Sequence, residues 1–172
     1  MSDIWAAAHQ GDLVRLEELL NSGEDPNAHQ PASKSAYRPT PLAYAVWGDQ
    51  PDALRLLLEH GGDPNRADGD GNYHPLHWAV YKGDHADCAQ LLVDAGADPN
   101  LGDDLGFSPL HASVFDPDDC GECAEILVDA GADLTHQKDG QTPLAYAKFR
   151  GARPRVLKVL EDAAAAAADA AR

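Results

Sequence analysis

The sequence predicts an all-α solenoid in which short helix-turn-helix units stack side by side and project β-turn loops. Three observations at one period carry this reading. Pro-Leu pairs stand at Pro41-Leu42, Pro75-Leu76, Pro109-Leu110 and Pro143-Leu144, each 34 residues after the last. A second phrase runs out of step with the first: Gly-Glu-Asp-Pro-Asn ending at Asn27, Gly-Gly-Asp-Pro-Asn at Asn65, Gly-Ala-Asp-Pro-Asn at Asn100 and Gly-Ala-Asp-Leu at Leu134. Between the two lies an apolar run, such as Leu54-Arg55-Leu56-Leu57-Leu58 or Ile126-Leu127-Val128. Interlocked phrases at a fixed period of this length are the signature of a repeat array.

Each element follows from local chemistry. Thr40, Ser108 and Thr142 are suited to cap a helix, and the proline after each stands at the first helical position, where no amide donor is lost. Asp49 or Gly83 then ends that helix. A second helix carries the Leu-rich stripe, and Gly61, Gly96 and Gly131 supply a left-handed cap at its C-terminus. Asp-Pro-Asn, followed by Gly71, Gly106 or Gly140, makes the tight turn into the next unit. A helix pair of this size cannot bury its apolar face alone, so the units must stack.

His74-Pro75-Leu76-His77-Trp78-Ala79, Thr142-Pro143-Leu144-Ala145-Tyr146-Ala147 and the Leu-Leu-Val-Asp-Ala-Gly-Ala-Asp of 91–98 resemble ankyrin repeats, over about residues 3–162. Five units are expected within one domain spanning 1–172: 3–27, 38–65, 72–100, 106–134 and 139–172. The first lacks the Thr-Pro-Leu-His phrase, and the last runs into an alanine-rich helix, Ala163 to Ala168. Atypical end units are expected of caps. The resemblance implies protein binding without catalysis. It also implies that the rings of His77 and His111 hydrogen-bond neighbouring loops and that the first helix of each unit lines a concave face.

Two irregularities stand out. The spacing from the Asp of one Gly-x-Asp to the next Pro-Leu is 16 residues in the first loop, against 12, 11 and 10 in the others. The extra segment lies within Ala28–Arg38 and contains Tyr37; it reads as a surface insertion or as a finger adding contacts. A second insertion surrounds Asp116–Asp119.

Aromatic residues are placed unevenly. The period aligns Trp47, Tyr81, Phe115 and Phe149 in one column, and Tyr44, Trp78, Ala112 and Tyr146 in another. Seven of the 11 Phe, Trp and Tyr residues therefore occupy two repeat positions, three residues apart on one helix face. Tyr73 and Phe107, in loops before two units, extend the set toward the loop tips. These nine aromatics are the expected partner-binding residues, because Tyr and Trp concentrate in binding hot spots. Packing between adjacent first helices is the competing explanation. Trp47→Ala or Trp78→Ala is expected to weaken binding while leaving the helical signal intact.

Charge narrows the partner. The chain of 172 residues carries 29 acids and 13 Lys and Arg, a net charge of −16. Residues 1–137 hold 25 acids and six bases, whereas 138–172 hold four acids and seven bases. Such acidity disfavours nucleic acid and anionic membranes and favours a basic protein. Three cysteines and an acidic N-terminal segment point to the cytoplasm, and a monomer is expected.

No catalytic set, metal site or cofactor is expected. Cys120-Gly-Glu-Cys123 has no second ligand pair for zinc, and Cys123 shares its repeat position with Cys88 and Ala53, an inward-facing place. Asp68-Gly-Asp70-Gly-Asn72 fails as a calcium loop at Tyr73 and Ala79, so it reads as a turn. The alternatives are an inhibitor or immunity-type protein that neutralises a basic enzyme or toxin, and a metal- or thiol-dependent enzyme centred on Cys120 and Cys123.

Overall fold

A computed structural model describes residues 3–31, 37–81, 85–115 and 121–170. The described residues form five helix pairs and no strand. These are α1 (Ile4–Gln10) with α2 (Leu13–Asn21), α3 (Pro41–Trp47) with α4 (Pro51–Glu59), and α5 (Pro75–Tyr81) with α6 (Ala86–Asp94). α7 (Pro109–Ala112), extended by a 3-10 turn over Ser113–Phe115, pairs with α8 (Gly121–Asp129), and α9 (Pro143–Arg150) pairs with α10 (Pro154–Ala170). The first helices α1, α3, α5, α7 and α9 pack in succession, and α2, α4, α6, α8 and α10 form a second layer against them.

The caps stand where local chemistry puts them. The side chains of Thr40, Ser108 and Thr142 accept hydrogen bonds from the amides of Ala43, His111 and Ala145. At α5 the arrangement is reversed: the His74 amide donates to Nδ1 of His77, 3.2 Å away. Gly61, Gly96 and Gly131 hold φ of 86°, 89° and 87°. A Cβ added to any of them would meet nothing within 4 Å, so backbone sign and not space demands glycine there. Gly83, Cys120 and the acidic insertion at Asp116–Asp119 lie outside the described residues, as do residues 32–36 of the first insertion.

The core follows the repeat. Leu42, Leu76 and Leu110 of the Pro-Leu phrases, and Leu57, Leu92 and Leu127 of the second helices, are all fully buried. Ala53, Cys88 and Cys123 fill one inward column, as their common repeat position requires.

The Asp-Pro-Asn phrase does more than turn the chain. Asn27 donates through Nδ2 to the Gly61 carbonyl at 3.0 Å and accepts through Oδ1 from the Asp63 amide at 2.7 Å. Asn65 repeats the clasp on Gly96 and Asp98, and Asn100 repeats it on Gly131 and Asp133. Thr135 follows in place of a fourth asparagine and bonds locally to Asp133. Asn65→Ala should therefore lower stability by about 1–2 kcal/mol, two exposed hydrogen bonds' worth, whereas Asn65→Asp, which keeps only the acceptor, should lose less. Urea unfolding of the two variants measures this, and equal midpoints for Asn65→Ala and the parent would exclude the clasp as a stabilising joint.

Candidate interaction surface

Because α1, α3, α5, α7 and α9 lie side by side, residues at one repeat position become neighbours across units. Tyr44 and Trp47 stand one turn apart on α3 with ring centroids 5.1 Å apart. Trp47 meets Trp78 of α5 edge-on at 4.7 Å. Tyr81 stacks on Phe115 at 5.6 Å with the planes inclined by 17°. Phe115 meets Tyr146 of α9 at 5.7 Å. Tyr73 adds to the band beside Trp78 at 5.0 Å, and Phe107 adds to it beside Tyr146 at 5.4 Å. Eight of the nine expected aromatics thus form one continuous band from Tyr44 to Tyr146. Packing between first helices and display on a surface are properties of the same residues.

Two of the nine depart from expectation. Phe149 is 73% exposed and joins no ring among the described residues. The step beyond Phe115 is filled instead by Arg150, whose guanidinium lies 5.1 Å from the Phe115 centroid and 6.0 Å from that of Tyr146. Trp78 is only 6% exposed and belongs to the hydrophobic core, so its removal cannot leave the fold untouched. The cover over Trp78 comes from Tyr37, whose ring sits 5.9 Å from that of Trp78 and 6.1 Å from that of Tyr73. The chain after the long first loop is held there by the second loop, where the Gly69 and Asp70 amides donate to the Arg38 and Tyr37 carbonyls.

Tyr37, Trp47, Tyr73, Trp78 and Tyr81 enclose a pocket of about 260 Å³ at the middle of the band. Its surroundings are acidic. Asp68 is 6% exposed, and its Oδ1 accepts from the Tyr73 amide at 3.0 Å. Burial pushes its carboxyl up to about 7, against the pull of the Tyr73 amide and of the nearby Trp78 indole, while Asp70 and Asp104 add like charge. Among the described residues, neither Oδ2 of Asp68 nor Nε1 of Trp78 has a hydrogen-bond partner at bonding distance. A second notch shares Tyr37 and Tyr73 and is completed by Asp70, Gly71, Asp104 and Leu105. The Asp68–Asn72 segment is the expected turn, closed by the Asp68 amide on the Tyr73 carbonyl.

Several basic residues of the segment 138–172 are engaged within the chain. Lys148 pairs with Glu161 at 2.9 Å, Arg155 approaches Glu122 at 3.8 Å and Lys138 lies 5.2 Å from the Phe107 centroid.

The histidines of the Pro-Leu-His phrase act structurally. Nε2–H of His77 donates to the Phe107 carbonyl at 2.9 Å, and Nε2–H of His111 donates to that of Gln141 at 3.1 Å. Each ring thereby ties its helix to the loop of the next unit, as the resemblance implied. Burial lowers the pKa of both, that of His77 to about 4. The Cys88 and Cys123 thiols are buried, and burial pushes Cys88 up to about 12, far from a reactive thiolate. Among the described residues no three His, Cys, Asp or Glu side chains converge on a metal-sized point. No helix among them is long and apolar enough to cross a membrane.

Comparison with known proteins agrees with this geometry. The family model for ankyrin repeats (3 copies) matches residues 4–103 and 76–167. The chain is 39% identical over 70 residues to the 2-5A-dependent ribonuclease of Mus musculus, covering 41% of this chain and 9% of that protein. It is 38% identical over 81 residues to a palmitoyltransferase of Drosophila melanogaster, covering 47% of this chain and 12% of the relative. An ankyrin repeat-containing protein of Schizosaccharomyces pombe is 41% identical over 69 residues, which is 40% of this chain and 31% of the relative. The matched segments thus span less than a third of each relative, and the two enzymes are matched only over a small, repeat-bearing part.

Proposed function

Since the chain belongs to the ankyrin-repeat family, whose repeats mediate protein–protein interaction and are typically non-catalytic, we propose that it is a non-enzymatic binding module that engages a basic partner protein along its aromatic band and loop tips. The observation that supports this reading best is the continuity of the band: ring contacts run unbroken from Tyr44 to Tyr146 across four units. Large, rigid aromatic side chains give contact area at small entropic cost, and a stacked scaffold holds them in place before the partner arrives. The acidic body, with 25 acids against six bases in residues 1–137, draws a cationic partner toward the band and speeds encounter. The chain acts as one domain and as a monomer.

Partner capture by the full chain, compared with Trp47→Ala and Tyr81→Ala, tests the reading. Each truncation is expected to weaken capture at least about tenfold, the scale of a hot-spot residue, with the far-ultraviolet circular dichroism unchanged. Capture should also slow as ionic strength rises. Capture undiminished in both variants would rule out the aromatic band as the binding surface.

A further inference from the structure

We infer that the central pocket walled by Tyr37, Trp47, Tyr73, Trp78 and Tyr81 is a receptor for an arginine side chain, presented by a basic segment of the partner. This rests on the partner-binding reading above and names the chemistry that one part of the band recognises. Four observations converge on it.

The first is the size of the pocket. At about 260 Å³ it falls just below the usual range for small-molecule sites, which begins at about 300 Å³, and suits one long side chain. The second is its composition. Among the described residues, the five that line it are all aromatic, and the faces of such rings attract cations through their quadrupoles.

The third observation comes from the protein itself. Further along the same band, Arg150 lies over Phe115 and Tyr146, and Lys138 lies over Phe107. Two downstream steps are therefore already filled by the chain's own cations. Among the described residues, no lysine or arginine stands over Tyr37, Tyr73, Trp78 or Tyr81. The fourth is charge. Asp70 and Asp104 line the adjoining notch that shares Tyr37 and Tyr73. A cation in the pocket sits in their field, and a neighbouring basic residue of the same segment would reach Asp70 and Asp104.

Guanidinium suits the site better than ammonium. It is planar, stacks on aromatic faces and is more weakly hydrated, so less is lost when it leaves water for an aromatic enclosure. Arg150 shows the geometry on the same band, one guanidinium shared by rings of two successive units.

The test titrates the full chain with three blocked peptides, acetyl-Gly-Arg-Gly-amide and its lysine and citrulline counterparts. Binding is followed through the indole N–H resonances of Trp47 and Trp78. Citrulline keeps the shape of arginine and removes its charge. Saturable shifts with the arginine peptide, at least about threefold weaker binding with lysine and no saturation with citrulline are the expected results. Tyr37→Ala and Tyr81→Ala should each weaken arginine binding by about 3- to 30-fold, whereas Tyr81→Phe, which keeps the ring, should bind as the parent does. Citrulline or lysine matching arginine would overturn the inference, as would arginine binding indifferent to both alanine variants. If Trp47→Ala abolishes partner capture but no arginine peptide binds, this inference fails and the partner-binding reading stands. If the arginine peptide binds and partner capture ignores the band, the partner-binding reading fails instead.

Discussion

Trp78→Ala is expected to destabilise the fold by about 3–5 kcal/mol, the cost of emptying a large buried aromatic site. Trp78 packs edge-on or tilted against Tyr37, Trp47, Tyr73 and Tyr81, all within 6.4 Å between centroids. Its removal opens a void where the first inserted loop, α3 and α5 meet. Trp47→Ala and Tyr81→Ala remove rings that are only half-buried and should cost much less. Thermal or urea unfolding of the three variants separates the two classes. Equal stability losses would mean that burial of Trp78 does not set its role. The practical consequence is that loss of binding in Trp78→Ala would not identify a contact residue, whereas loss in Trp47→Ala or Tyr81→Ala would.

Acid should weaken the fold through His77. The ring is fully buried, and its folded-state pKa lies near 4 against an ordinary value of 6.5. Above pH 6.5 it is neutral in both states and its contribution is complete. Between pH 6.5 and 4 the unfolded chain binds a proton that the folded chain refuses, so stability falls with pH, by on the order of 3 kcal/mol across the window. His111 is shifted in the same direction. Asp68 works the other way: its carboxyl is raised from 3.8 to about 7, so its contribution to stability is present below 3.8 and is lost as pH rises through about 7. The net slope is therefore a contest, and His77 is isolated by difference. The stability gap between the parent and His77→Gln should be widest above pH 6.5 and shrink steadily toward pH 4. A gap that stays constant over that range would mean that His77 titrates normally in the folded protein.

How much of this was legible in advance depended on distance along the chain. Helix starts at Pro41, Pro109 and Pro143 were readable because the cap, the proline and the first turn are neighbours in sequence. The aromatic columns were readable because a fixed period brings equal positions together. Depth was not. Trp78 and Tyr146 share a column, yet Trp78 is buried and Tyr146 half-buried, because Tyr37 closes over Trp78 from an irregular loop that no period describes. For the same reason the sequence marks Tyr37 only as part of an insertion, although it walls the central pocket. Phe149 shares its column with Tyr81 and Phe115 but not their surroundings, since Arg150 takes up the step beside Phe115. The asparagine clasps are not legible in the sequence, because each joins residues 31 to 36 apart and the phrase alone reads as a turn.

The asparagine and histidine joints between units address main chain only. Asn27, Asn65 and Asn100 grip a glycine carbonyl and an aspartate amide of the next unit, and His77 and His111 reach carbonyls. A coupling that ignores the identity of its neighbour's side chains is indifferent to what they become. Units joined this way can be duplicated, exchanged or given new surface chemistry one at a time, because the fastening never has to be renegotiated. The exposed positions of the aromatic band can thus diverge along an array whose asparagine and histidine joints stay the same.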